Sequence, residues 1–187
     1  AKCKEAGALL IIDEVQSGIG RTGYKFAYEA FDLDPDIVTM AKALGSGLPI
    51  GAMIGKKALG SAFTPGSHGT TFGGNKIALS AAQAVLSKLT PEFLASVQQK
   101  SANVWTTMTD TLAPLPAVSG ITGMGLMIGI HLDEQLDVEA IIKQLQAKGL
   151  LTLSAKHNTL RLLPPLVMSD ADLQAGLALI AEVLKEA

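Results

Sequence analysis

Apolar residues along this chain gather into short runs that end in charge. Ala8-Leu-Leu-Ile-Ile-Asp13 is continuous and apolar, with β-branched members, up to its terminal acid. That is the pattern of a strand buried on both faces of a parallel sheet. A short helical stretch, Phe26 to Phe31, and the turn Asp34-Pro35-Asp36 lead to a second run, Ile37-Val-Thr-Met-Ala41, which stops at Lys42. A third run, Ile50 to Ile54, follows Pro49. Short apolar runs separated by loops and helix predict an α/β sheet with functional groups at the strand ends.

The texture then changes. Ile77-Ala-Leu-Ser-Ala-Ala-Gln-Ala-Val-Leu86 has helical spacing inside a segment from Asn75 to Leu89, and Thr90-Pro91-Glu92 marks a new helix running to about Leu112. Pro114 and Pro116 end it. Beyond them the sequence predicts a Gly-rich strand (Val118 to Leu132), a helix (Val138 to Lys148), two short strands (Leu150 to Ser154 and Thr159 to Leu163) and a terminal helix capped at Ser169-Asp170. The expected organisation is a larger α/β part, residues 1–112, followed by a small α+β unit, residues 113–187.

Composition narrows the function classes. The chain has 187 residues, 48% hydrophobic and 17% charged, with a formal net charge of −2 and a mean hydropathy of +0.34. It is too apolar for disorder, and its charge falls short of the roughly 25% typical of a globular domain, so part of its surface is expected to be covered by something else. No Lys/Arg cluster is dense enough to bind a row of phosphates, which argues against nucleic acid. The longest purely aliphatic run, Ala8 to Ile12, is far shorter than the roughly 18 residues of a membrane span. Cys3 is the single cysteine, so no intrachain disulfide forms, and no zinc spacing joins it to His68, His131 or His157. A reducing, cytoplasmic setting is expected. The first residue is Ala1 rather than Met, and Lys2 to Gly7 has the composition of a helix already under way, as in a piece of a longer protein.

Four features carry candidate chemistry. Gly18-x-Gly20-x-x-Gly23 matches a dinucleotide fingerprint, but Asp13 to Ser17 intervenes after the strand and the next strand ends in Lys42 rather than an acid. Asp13 and Lys42, if their strands are parallel neighbours, emerge together at the carboxyl edge of the sheet. Such a pair suits a cofactor with a pyridine nitrogen and an aldehyde, or forms a structural ion pair. His68-Gly-Thr-Thr-Phe-Gly-Gly-Asn75 opens a helix, and serves either a phosphate or a plain N-cap. Arg161, between apolar neighbours on a short strand, either points to solvent or offers a fork to a carboxylate.

Together, Leu10-Ile-Ile-Asp13-Glu-Val-Gln16-Ser-Gly18-Ile-Gly20-Arg21-Thr-Gly23, Asp36-Ile-Val-Thr-Met-Ala-Lys42-Ala-Leu-Gly45-Ser-Gly47-Leu-Pro49 and His68-Gly-Thr-Thr71-Phe-Gly-Gly-Asn75 resemble the class III (subgroup II) pyridoxal-phosphate aminotransferases of fold type I. The resemblance covers essentially the whole chain. It implies part of the large domain of that fold, mostly parallel sheet, followed by a small carboxyl-terminal α+β domain. It implies pyridoxal 5′-phosphate as cofactor, Lys42 as the Schiff-base lysine and proton carrier, and Asp13 as the acid on the pyridine nitrogen. It places Gln16 near the phenolic oxygen, Thr71 on the cofactor phosphate of a neighbouring subunit, and Arg161 against an active-site glutamate or a substrate carboxylate. A homodimer with shared active sites, acting on amino-acid and 2-oxo-acid substrates, follows from the same resemblance.

Within the family, Ala41 and the Arg161-Leu-Leu-Pro-Pro165 segment are most similar to the branch that moves an amino group from N-acetylornithine to 2-oxoglutarate in arginine biosynthesis. Relatives using ornithine, succinylornithine, 4-aminobutyrate or glutamate semialdehyde are the alternatives, and a non-catalytic phosphate-binding or dimerisation module is another. Ser46 stands where the family commonly has glycine, Thr70 where serine is usual and Lys76 where proline is usual. Family chains are about twice this long, so the phosphate loop, the ring-stacking aromatic and the glutamate partner of Arg161 are expected outside this sequence. The chain alone is expected to be catalytically incompetent, or at best to bind the cofactor weakly.

Overall fold

The computed structural model describes residues 2–187, which divide into two compact units meeting at Leu94 and Ala95. The first begins with a short helix, α1 (Lys2–Glu5). It contains a three-stranded sheet in the order β1 (Ile11–Asp13), β2 (Ile37–Met40), β3 (Ala52–Gly55). β1 and β2 are parallel, with Asp13 opposite Thr39. β3 is antiparallel to β2, with Met40 opposite Ala52.

The apolar run Ala8 to Asp13 contributes only its last three residues to β1. It is also not buried on both faces: Ile11 is 58% and Leu9 52% exposed. The reason is positional, since β1 is an edge strand with β2 as its neighbour among the described residues. Alternation along β2 buries Val38 and Met40 on one face, where they join Ile19, Leu44, Ala82 and Leu89. Ala82 comes from α2 (Lys76–Lys88), whose first N–H groups, at Ile77 and Ala78, donate to the Asn75 side chain. This is the N-cap reading of the His68 to Asn75 loop.

Helix α3 (Pro91–Thr111) starts in the first unit and from Ala95 onward belongs to the second. The compact units thus divide inside α3 rather than after it. The physical cause is the stripe Val97, Ser101, Val104 and Met108, which recurs at helical spacing and is buried.

The Gly-rich stretch expected to be one strand is a hairpin, β4 (Val118–Met124) and β5 (Met127–Leu132), turning at Gly125, whose φ is 62°. α4 (Val138–Ala147), β6 (Leu153–Ala155), β7 (Thr159–Leu162) and α5 (Asp170–Glu186) follow. The sheet runs β4-β5-β7-β6 and is antiparallel throughout. Ile128, Ile130, Leu132 and Leu160 are buried on one face. Leu173, Leu177, Ile180 and Leu184 line a buried stripe of α5. Full burial of each such side chain contributes about 1.5–3 kcal/mol. Among the described residues no helix is long and apolar enough to cross a membrane.

Candidate active site

The parallel pairing of β1 and β2 brings two sequence motifs to one edge. Asp13 is the last residue of β1, and Lys42 follows the end of β2 by one residue, Ala41. Both side chains therefore leave the sheet at its carboxyl edge, where α/β folds bind ligands. Both residues are exposed, as is Gln16 in the turn after β1.

Asp13 is held from two sides. Its Oδ1 accepts the Val15 N–H at 2.9 Å and the Thr39 hydroxyl at 3.2 Å across the parallel pair. Both bonds fall on Oδ1, which leaves Oδ2 for a further donor. Thr39 escaped notice in the sequence because a threonine inside an apolar run carries no signal of its own.

Lys42 opens a 3-10 turn, Lys42–Leu44, with φ at 45°, in the left-handed region that non-glycine residues avoid. Buried Leu44 and the Leu44 N–H to Ala41 carbonyl bond at 2.9 Å pin that turn. Gly45 follows, and a Cβ there would lie 2.1 Å from the Leu48 carbonyl oxygen, so only glycine lets the chain double back. Lys42 makes no ion pair among the described residues. Asp13 and Lys42 are thus two separately held groups rather than a structural ion pair.

The fingerprint glycines do not build a nucleotide loop. Gly18, Gly20 and Gly23 lie in a series of turns, and no helix opens at Gly23. Gly18 is instead required by packing: a Cβ would sit 2.8 Å from the Glu14 carbonyl oxygen.

Glu14 is a second residue that the sequence alone does not single out. It is only 1% exposed. Its carboxylate accepts the Ser17 hydroxyl at 2.6 Å and the Tyr28 N–H at 2.9 Å. The Tyr28 phenol is pushed above its usual range, chiefly by desolvation and then by the charges of Glu29 and Glu14. The available signal was the Glu14-Val-Gln-Ser17 spacing, which lets an acid meet a hydroxyl across one turn.

In the loop before α2, Thr70 Oγ1 accepts the Gly73 N–H at 3.0 Å. Thr71 and Phe72 are exposed, Phe72 by 82%. Arg161 lies in the second unit, on β7 opposite Gly129 of β5 and Leu153 of β6. It is half-buried, on the sheet face that also carries Thr159 and His131, away from Leu160 in the core. His131 bridges the Thr122 hydroxyl at 2.7 Å and the Thr159 hydroxyl at 2.9 Å, a local role. No cluster of metal-ligating side chains occurs among the described residues.

An edge that displays an acid from one strand and a lysine on the strained turn after its parallel neighbour, followed in the chain by a small α+β unit, is the α/β architecture of the fold-type I transferases. The chain belongs to the class-III aminotransferases, whose family model matches residues 1–184. It is 60% identical to the acetylornithine aminotransferase of Lactiplantibacillus plantarum over 98% of its own length and 47% of that relative's. The chain therefore spans about half the length of the curated relatives it matches.

Among solved structures, N-acetylornithine aminotransferase from Stenotrophomonas maltophilia matches with a TM-score of 0.85 and 34% identity, over 99% of this chain and 49% of the other. Ornithine aminotransferase from Toxoplasma gondii, described with partial occupancy of PLP at its active site, matches with a TM-score of 0.92 and 29% identity, over 98% and 44%.

Proposed function

We propose that the chain is the carboxyl-terminal part of a pyridoxal-phosphate aminotransferase that moves an amino group from N-acetylornithine to 2-oxoglutarate. The observation that carries the chemistry is the placement of Asp13 and Lys42 at one sheet edge, each available for a further bond. The choice of amino donor rests on the 60% identity to an acetylornithine aminotransferase. Ornithine itself is the alternative donor, favoured by the TM-score of 0.92 to an ornithine aminotransferase.

The donor set fits the cofactor. Asp13, with Oδ1 engaged, would offer Oδ2 to a protonated ring nitrogen, and Lys42 has an exposed side chain with no competing ion pair among the described residues. When bound, the pyridoxal ring supplies an electron sink that no side chain provides. Asp13 would hold the proton on the ring nitrogen. Lys42 would hold the cofactor's aldehyde carbon and, once displaced by substrate, move a proton between the substrate α-carbon and cofactor C4′. Gln16 would lie by the phenolic oxygen, and Thr71 would donate its hydroxyl to the phosphate of a cofactor held by a second subunit. Arg161 would meet a substrate carboxylate or an active-site glutamate.

Residues 1–112 would then be the end of the cofactor-binding domain with α3 as its connecting helix, which from Ala95 onward is compact with the second unit, and residues 113–187 would be the small domain. The exposed apolar side chains Phe72, at 82%, and Ile77, at 72%, support a homodimer in which that surface is covered. A cytoplasmic setting fits this chemistry. The isolated chain would be inactive, because the relatives it matches carry about as much sequence again.

The test is Lys42→Ala in the full-length protein. The visible absorbance of bound cofactor and its trapping by borohydride should both disappear. If the band survives, the lysine is wrongly assigned. A panel of amino donors decides the substrate, and no preference for N-acetylornithine would remove it as first choice.

A further inference from the structure

A buried carboxylate persists only where hydrogen bonds or opposite charge replace the water it has lost. Glu14 meets that condition with two donors from different segments, the Ser17 hydroxyl and the Tyr28 N–H. Its backbone is fixed as firmly: its N–H donates to the Thr39 carbonyl at 2.8 Å, and its own carbonyl accepts the Gly18 N–H at 3.1 Å. One residue thereby ties the end of β1, the turn that carries Gln16, strand β2, and the 3-10 turn Ala27–Phe31 at its start.

These ties converge on Asp13. One of the two bonds on Asp13 Oδ1 comes from the Val15 N–H, the peptide joining Glu14 to Val15. The other comes from Thr39, whose carbonyl takes the Glu14 N–H. Release of the Glu14 carboxylate would leave the Glu14–Val15 peptide held on its carbonyl side by the Gly18 N–H but no longer tied to Tyr28 and Ser17, so the donor that sets the orientation of Asp13 would be held less firmly.

We infer that Glu14 is a positioning residue for the cofactor site, its buried carboxylate bracing the Asp13–Ser17 turn so that Asp13 keeps Oδ2 available to the ring nitrogen. The inference rests on the aminotransferase reading given above. Glu14 touches no reacting atom and acts through Asp13.

The experiment uses full-length protein and pyridoxal 5′-phosphate labelled at its ring nitrogen. Three readouts are taken: the dissociation constant for the cofactor, the nitrogen chemical shift, which reports protonation, and the melting temperature. Glu14→Ala should weaken cofactor binding about tenfold, the effect of one lost charge-assisted hydrogen bond, and move the nitrogen shift toward that of the unprotonated ring. Glu14→Gln should restore both, because its amide oxygen can take the Tyr28 N–H while its NH2 group donates to a Ser17 hydroxyl turned to accept.

Ser17→Ala, which removes one leg of the brace, should shift both readouts in the same direction by less, and it serves if Glu14→Ala does not fold. Unchanged affinity and nitrogen shift in Glu14→Ala, or in Ser17→Ala where it stands in, overturn the inference even if the melting temperature falls, because a brace for the fold alone would produce that result. If the wild-type protein takes up no cofactor, the aminotransferase reading fails first, and this inference falls with it.

Discussion

Lys42 and Ser46 both occupy left-handed backbone, with φ of 45° and 46°. For an L-residue this costs roughly 1–2 kcal/mol, and such strain gathers where a side chain must be aimed. At Lys42 the side chain is the one proposed to hold the cofactor, which gives the strain a use. At Ser46 no such use is proposed, and the residue is exposed. Ser46→Gly should leave the chain as stable or stabilise it by up to about 1 kcal/mol in a urea melt, the relief being partly offset by glycine's larger unfolded-state entropy. A loss of more than about 1 kcal/mol would contradict this account of the turn. Asp13 and Lys42 were legible in the sequence because each ends an apolar run, and a charge at a strand end stands out. Glu14 was not legible, because an acid beside a strand end has the pattern of solvated surface, and only the positions of Ser17 and Tyr28 reveal it as buried.

At the level of elements, helices were read more closely than strands. Asn75 and Ser169 announced α2 and α5, and each side chain accepts the N–H bonds that a cap should. The Gly-rich segment 118–132 failed as a single strand because glycines at 120, 123, 125 and 129 mask the turn: any of them could have been the reversal, and it falls at Gly125. The β6–β7 connection hides a second device. His157 and Asn158 have φ of 60° and 51°. The Asn158 amide donates to the Asp133 and Leu136 carbonyls, both at 2.8 Å, while its Oδ1 accepts the Val138 N–H at 3.2 Å. One side chain thus fastens the hairpin to the loop and first turn of α4. Asn158→Ala should destabilise the chain by about 1–3 kcal/mol, since partly buried groups lose their partners and alanine fits left-handed backbone poorly. Asn158→Gly, which removes only the second penalty, should recover part of the loss in the same denaturation assay. Equal stability of all three versions would show that the side chain carries no such role.

Over the whole molecule, the low charge content has a visible counterpart. Leu9, Ile11, Ile54, Phe63, Phe72 and Ile77 in the first unit, and Leu151, Leu153 and Val167 in the second, are exposed apolar side chains. No sequence pattern could separate them from core residues, because periodicity marks an apolar face and says nothing of which chain covers it. One cluster of charges lies at the amino end of the first sheet: Lys56 bridges Asp34 at 2.8 Å and Asp36 at 3.2 Å, and Lys4 reaches Asp34 at 3.6 Å. Asp34 is held below the usual carboxylate range chiefly by the hydrogen bond from Lys56, and Asp36 chiefly by the Leu10 N–H and then by Lys56. Lys56 is raised, chiefly by its hydrogen bond to Asp34. Lowered acids stabilise the fold above their unfolded values, near about 3.9, and that contribution fades as pH falls through their folded values. The raised lysine contributes fully below about 10.4 and loses its contribution as pH rises through its folded value. Melting temperature should therefore be level across neutral pH and fall at both extremes. Lys56→Met should flatten the part of each limb due to this cluster, high salt should do the same, and unchanged limbs would remove the cluster from the account. The central claim, that this sheet edge binds pyridoxal 5′-phosphate through Lys42, is tested most directly by incubating the full-length protein with the cofactor, reducing with borohydride and mapping the modified peptide by mass spectrometry. The account predicts one labelled lysine, Lys42, in the peptide after β2; label on another lysine, or none at all, would contradict it.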